Sequence, residues 1–68
     1  MKLSARNVLK GKVVEITKGV TTAHIKLDLG KGAIITSSIT MEAVKDLKLK
    51  VGDKAYAVIK ASDVLIGK

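Results

Sequence analysis

Three short stretches of this chain concentrate hydrogen-bond donors. Ser4-Ala5-Arg6-Asn7 offers a hydroxyl, a guanidinium and an amide in succession. Thr36-Ser37-Ser38 offers consecutive hydroxyls, and Lys60-Ala61-Ser62 offers an ammonium, an unhindered N–H and a hydroxyl. A small tetrahedral dianion accepts hydrogen bonds on every side. Its site therefore needs donors only: hydroxyls, backbone N–H groups and a cation or two. Any one Ser/Thr stretch also fits turn or cap chemistry. Their joint presence in a small basic chain points to anion binding without identifying the anion.

Other chemistries find little support. A catalytic triad needs a base, an acid that orients it and a nucleophile. His24 is the only histidine, and it sits on the polar face of an alternating segment beside Lys26, where it reads as a solvated residue. No Gly-rich phosphate loop or paired carboxylates stand out, so no enzyme activity is expected. There is no Cys, and the lone His and scattered carboxylates form no ligand set, so no direct protein–metal ligand and no covalent cofactor is expected. The rival class is a single-stranded nucleic-acid-binding module. Such modules stack bases on aromatic side chains, and here Tyr56 is the one aromatic residue, expected to pack rather than to stack. Nucleic acid is therefore the disfavoured partner.

The bulk properties set the frame for the donors. At 68 residues the chain is expected to form one domain, residues 1–68, with a core of marginal size. Hydrophobic residues make up 47% of it, yet Phe and Trp are absent. Val, Ile, Leu and Ala fill little volume each, so many are expected to bury against other subunits. The net charge of +7, from 13 basic against 6 acidic residues, favours anionic partners. No apolar run reaches the roughly 20 residues needed to span a bilayer. Met1 to Asn7 carries charge without a following apolar stretch, so no membrane association and a cytoplasmic location are expected.

The elements that must hold these donors read as strands. From Val20 to Leu29, Ala23, Ile25, Leu27 and Leu29 alternate with Thr22, His24, Lys26 and Asp28, the period of a half-buried strand. Asn7 to Lys18 is rich in β-branched residues, with Gly11 expected as a bulge or bend. Lys18-Gly19 is expected to close a hairpin between these two. After the Gly30-Lys31-Gly32 turn, Ala33 to Ile39 forms a third strand, apolar on both faces and so expected to be covered on both. Thr40 is placed to cap a short helix carrying Met41, Val44 and Leu47. A fourth strand runs from Lys54 to Lys60, and Val64-Leu65-Ile66 is expected as a short fifth. Five strands with one short helix between the third and fourth is the order of an OB-like barrel, an all-β fold, with an SH3-like barrel as the main rival.

On these residues the chain resembles a known family. Ser4-Ala5-Arg6-Asn7 followed by Leu9-Lys10-Gly11-Lys12-Val13-Val14 is similar to the opening of the molbindins, small molybdenum-pterin-binding-type proteins. Ile35-Thr36-Ser37-Ser38-Ile39-Thr40 and Ala57-Val58-Ile59-Lys60-Ala61-Ser62-Asp63-Val64 resemble the same family, so the likeness runs from about Leu3 to Ile66. It implies a transport-associated OB-type (TOBE) domain that binds molybdate, or tungstate, for intracellular storage. It also implies a homo-oligomer, a hexamer built as a trimer of dimers, with oxyanions held between subunits. Carried onto this chain, one kind of site would use Ser4, Arg6, Lys60, Ala61 and Ser62, with Ser37 or Ser38 from a neighbour. A second kind, near the threefold axes, would fall on Lys18, Gly19, Val20 and Thr22. Val8 stands where many relatives carry a polar residue.

Overall fold

The computed structural model describes residues 2–68. Four strands, β1 (Asn7–Lys18), β2 (Thr22–Gly30), β3 (Ala33–Thr40) and β4 (Lys54–Ile59), form one antiparallel sheet in the order β3-β2-β1-β4. A short helix, α1 (Met41–Leu47), lies between β3 and β4, and a 3-10 turn, Ala61–Asp63, follows β4. This is the all-β, OB-like arrangement expected, with one strand fewer.

β1 is the spine. Its second half pairs with β2, from Lys12↔Asp28 to Lys18↔Ala23, and its first half pairs with β4, from Asn7↔Ile59 to Lys12↔Lys54. Lys12 is the one β1 residue shared by both ladders. A strand that serves two ladders at its two ends must bend between them. The bend is a bulge at Val14, where the β1–β2 register slips between Val13 and Glu15. Gly11, expected to be the bulge, has a different task. A Cβ there would lie 2.9 Å from Leu29 Cδ2 and 3.0 Å from the Asp28 carbonyl oxygen, so a bare backbone lets β1 pass close to β2. The Lys50–Asp53 loop ties onto the spine next to the bulge: Val13 N–H donates to Asp53 O (2.8 Å) and Gly52 N–H to Val13 O (2.7 Å).

The alternation read in β2 holds: Ala23, Ile25 and Leu27 are buried and His24 is exposed. With Val13, Val44 and Ala57 they complete a core without an aromatic ring. Thr40 caps α1 through its hydroxyl, which accepts from Ala43 N–H at 3.0 Å. Val44 is buried in the core and Met41 packs against it, whereas Leu47, expected beside them, is 66% exposed. β2 starts at Thr22, because Val20 sits at the hairpin tip.

Two further expectations need correction. β3 is covered on one face only: Ile35, Ser37 and Ile39 turn inward while Ile34 remains 49% exposed. The fifth strand does not form. Val64 has extended backbone angles (φ −92°, ψ 119°) but no ladder partner, and Leu65 and Ile66 are each 90% exposed. A strand is defined by what it pairs with, and the segment after the Ala61–Asp63 turn has no ladder partner. The two sheet edges, β3 and β4, flank an open cleft of about 460 Å³ floored by Val13, Ile25 and Leu27.

Candidate anion-binding site

Two of the three donor stretches meet at one end of the β1–β4 ladder. Ser4-Ala5-Arg6 leads into β1 and Lys60-Ala61-Ser62 leaves β4, and the Asn7↔Ile59 pair joins them. Asn7 Nδ2 donates to the Ile59 carbonyl oxygen at 3.2 Å, a part-buried bond between residues 52 apart in the chain. One N–H of the Asn7 amide, expected as a donor to the anion, is thus used in joining the two segments.

Local geometry presents the donors. The 3-10 turn commits the N–H groups of Asp63, to Lys60 O at 2.9 Å, and of Val64, to Ala61 O at 3.3 Å. The first N–H groups of any helical turn have no partner within it, so those of Ala61 and Ser62 are left for another acceptor. Ser4, Arg6, Lys60 and Ser62 are all exposed. The only ion pair among the described residues is Lys26–Glu15, at 3.7 Å, so neither Arg6 nor Lys60 is neutralised by a carboxylate. Asp63 is the acid that directly follows the second segment.

The third stretch lies elsewhere. Ser37 pairs with Ile25 and Ser38 with His24 on the edge strand β3. Ser37 is half-buried and lines the open cleft, as do Val58 and Ile59 of β4, and Ser38 faces solvent. Lys18, Gly19, Val20 and Thr22 gather at the β1–β2 hairpin tip. There Gly19 N–H already donates to Thr22 O (2.8 Å), which removes one donor from that set. Tyr56, expected to pack, is 53% exposed on the outer side of β4.

The class that the structure defines is an OB-like sheet with a basic, hydroxyl-rich end. The chain belongs to the TOBE domain family, whose model matches residues 3–66. It is similar to a probable molybdenum-pterin-binding protein of Haemophilus influenzae, 51% identical over 98% of this chain and 97% of that one. Among solved structures it is similar to a molybdate-binding protein from Sporomusa ovata (43% identity, TM-score 0.93, all of both chains). The cytoplasmic molybdate-binding protein ModG, solved with molybdate bound, is 51% identical with a TM-score of 0.91, over 96% of this chain and 46% of that one. These names describe binding proteins.

Proposed function

We propose that this protein binds molybdate, or the similarly sized tungstate, reversibly and without covalent attachment, as an intracellular store. It does so as an oligomer whose neighbouring chains complete each site. The observation that carries this reading is the meeting of Ser4, Arg6, Lys60, Ala61 and Ser62 around the Asn7–Ile59 clamp. Arg6 and Lys60 supply charge; hydroxyls and turn N–H groups fit an acceptor-only tetrahedron. Such a lining disfavours protonated phosphate, whose hydrogen meets no acceptor, and leaves sulfate to be rejected on size. The names of the relatives support molybdate as the ligand.

Association follows from what one chain leaves open. The cleft between β3 and β4 exposes core residues, both flanking strands are edges, and an apolar extended segment, Val64-Leu65-Ile66, projects unpaired. Burying an aliphatic side chain of this kind stabilises by about 2 kcal/mol. A second copy inserting its segment into this cleft fills it and pairs its edges. Residues 60–62 directly precede the segment, so the insertion also carries Lys60, Ala61 and Ser62 toward Ser37 and Ser38 of the partner subunit. The hexamer, the hairpin-tip site at Lys18, Gly19, Val20 and Thr22, and a cytoplasmic location belong to the same reading.

Calorimetric titration with molybdate, sulfate as control, and sedimentation of the same samples test it. Micromolar molybdate should release heat where sulfate does not, and the protein should sediment as an oligomer. Truncation after Asp63 should abolish assembly and weaken molybdate binding together. A protein that stays a single chain and takes up no molybdate at micromolar concentration refutes the proposal.

A further inference from the structure

The outer face of β2 and β3 carries donors that neither the core nor the end of the β1–β4 ladder uses. Strand alternation turns Thr36, Ser38 and Thr40 outward, while Ile35, Ser37 and Ile39 face the cleft. The register sets His24 opposite Ser38, the middle of the three, and Lys26 opposite Thr36. Such a ladder places facing side chains about 5 Å apart and successive ones on a strand about 7 Å apart. One exposed imidazole thus stands beside a column of three exposed hydroxyls. Ser37 and Ser38 lie on opposite faces, so a single anion cannot take both. The cleft claims Ser37 and leaves Ser38 to the outer face.

The acids around this column are engaged elsewhere. Glu15 of β1, opposite Lys26, lies 3.7 Å from the Lys26 ammonium and accepts from the Thr17 hydroxyl at 3.3 Å. Asp28 accepts from Gly30 N–H at 2.7 Å and stands four residues along β2 from His24, about 13 Å away. α1, which carries Glu42, Lys45 and Asp46, packs through Val44 on the inner side of the sheet. Among the described residues, no side-chain hydrogen bond or ion pair engages His24, Thr36 or Ser38. The Thr40 hydroxyl accepts from Ala43 N–H at 3.0 Å, which leaves its own O–H to donate. An imidazole is the side chain that gains a charge and a second donor between pH 8 and pH 5. In acid, the column therefore faces a cation that no carboxylate neutralises.

We propose that His24 and Ser38, flanked by Thr36 and Thr40, form a further oxyanion site, complete within one chain and loaded at mildly acidic pH. Its ligand is a small tetrahedral dianion of the sulfate type, taken without selection for size because the face is open. Protonated His24 supplies the charge, and the hydroxyls donate to the remaining oxygens. With one cation on an exposed face, the site fills at millimolar concentrations and empties as the pH rises.

Sulfate is the probe, because it stays a dianion across this range and any pH dependence then belongs to the protein. It is titrated into the intact protein at about pH 5.5 and about pH 8, at constant ionic strength set by chloride. Amide and imidazole chemical shifts follow the binding. Signals of His24 and Ser38 should move and saturate, with a half-point about tenfold lower in acid, the difference expected for one charge-assisted contact. His24→Gln should abolish the pH difference, and Ser38→Ala should weaken binding several-fold in acid. Circular dichroism melts confirm that both variants fold, and His24→Asn replaces His24→Gln if that one does not. Shifts that climb without saturating, equal half-points at the two pH values, or a pH difference that survives in His24→Gln overturn the proposal. Molybdate plays no part in this titration, so its failure and the failure of the molybdate-binding reading are separate results.

Discussion

Asn7 shows how one side chain can tie two donor-bearing segments together. Its Nδ2 spans from the first strand to the carbonyl of Ile59, immediately before the Lys60–Ser62 donors. Replacing it by Ala removes that part-buried bond and loosens the tie between the two segments. The loss of such a bond costs about 0.5–1.5 kcal/mol. If the proposed site is right, Asn7→Ala should weaken molybdate binding several-fold while Arg6 and Lys60 remain in place, a result that calorimetry reads directly. An unchanged affinity would detach the clamp from the site. The donors themselves were legible in the sequence because hydroxyls and cations declare their chemistry. The clamp was not, because an amide reads the same whether it faces a ligand or a neighbouring strand.

At the scale of elements, legibility followed the range of the interaction. β2 was read from its own alternation, and α1 from Thr40, whose hydroxyl bonds three residues ahead. Both signals are local. The bulge at Val14 and the close crossing at Gly11 depend on which residues β1 meets across two ladders, and no local pattern encodes that. The unpaired Val64–Ile66 segment is the same lesson at its limit: its residue types favour a strand, yet the chain keeps no partner for it. Two stability measurements follow. Gly11→Ala pushes a methyl against Leu29 and the Asp28 backbone and should cost about 1–3 kcal/mol in urea unfolding. Thr40→Ala removes the α1 cap and should cost about 1 kcal/mol, the usual value for a lost N-cap.

For the molecule as a whole, the balance of surfaces is the decisive fact. The core is small and wholly aliphatic, while many large apolar residues remain exposed, from Leu3 and Val8 to Leu65 and Ile66. A net charge of +7 opposes the association that would cover them. Bound anions relieve that repulsion. A ligand held by the assembled form alone stabilises it according to its concentration relative to Kd. Under the proposed reading, thermal midpoints should therefore rise with molybdate and fall on dilution of the protein. A midpoint indifferent to both would set the oligomeric reading aside.

The shared spine has a consequence for how the chain reaches its native state. β1–β2 and β2–β3 are hairpins between neighbours in sequence, whereas β1–β4 must bring residues 52 positions apart into register. Closing such a long loop is slow relative to a hairpin, so the donor-bearing end should take shape after the rate-limiting barrier. Under the proposed reading, molybdate should then slow unfolding and leave the refolding rate nearly unchanged, as for any interaction absent from the transition state. Stopped-flow chevrons with and without the anion resolve the two limbs, and acceleration of refolding would place the meeting of the chain's two ends early.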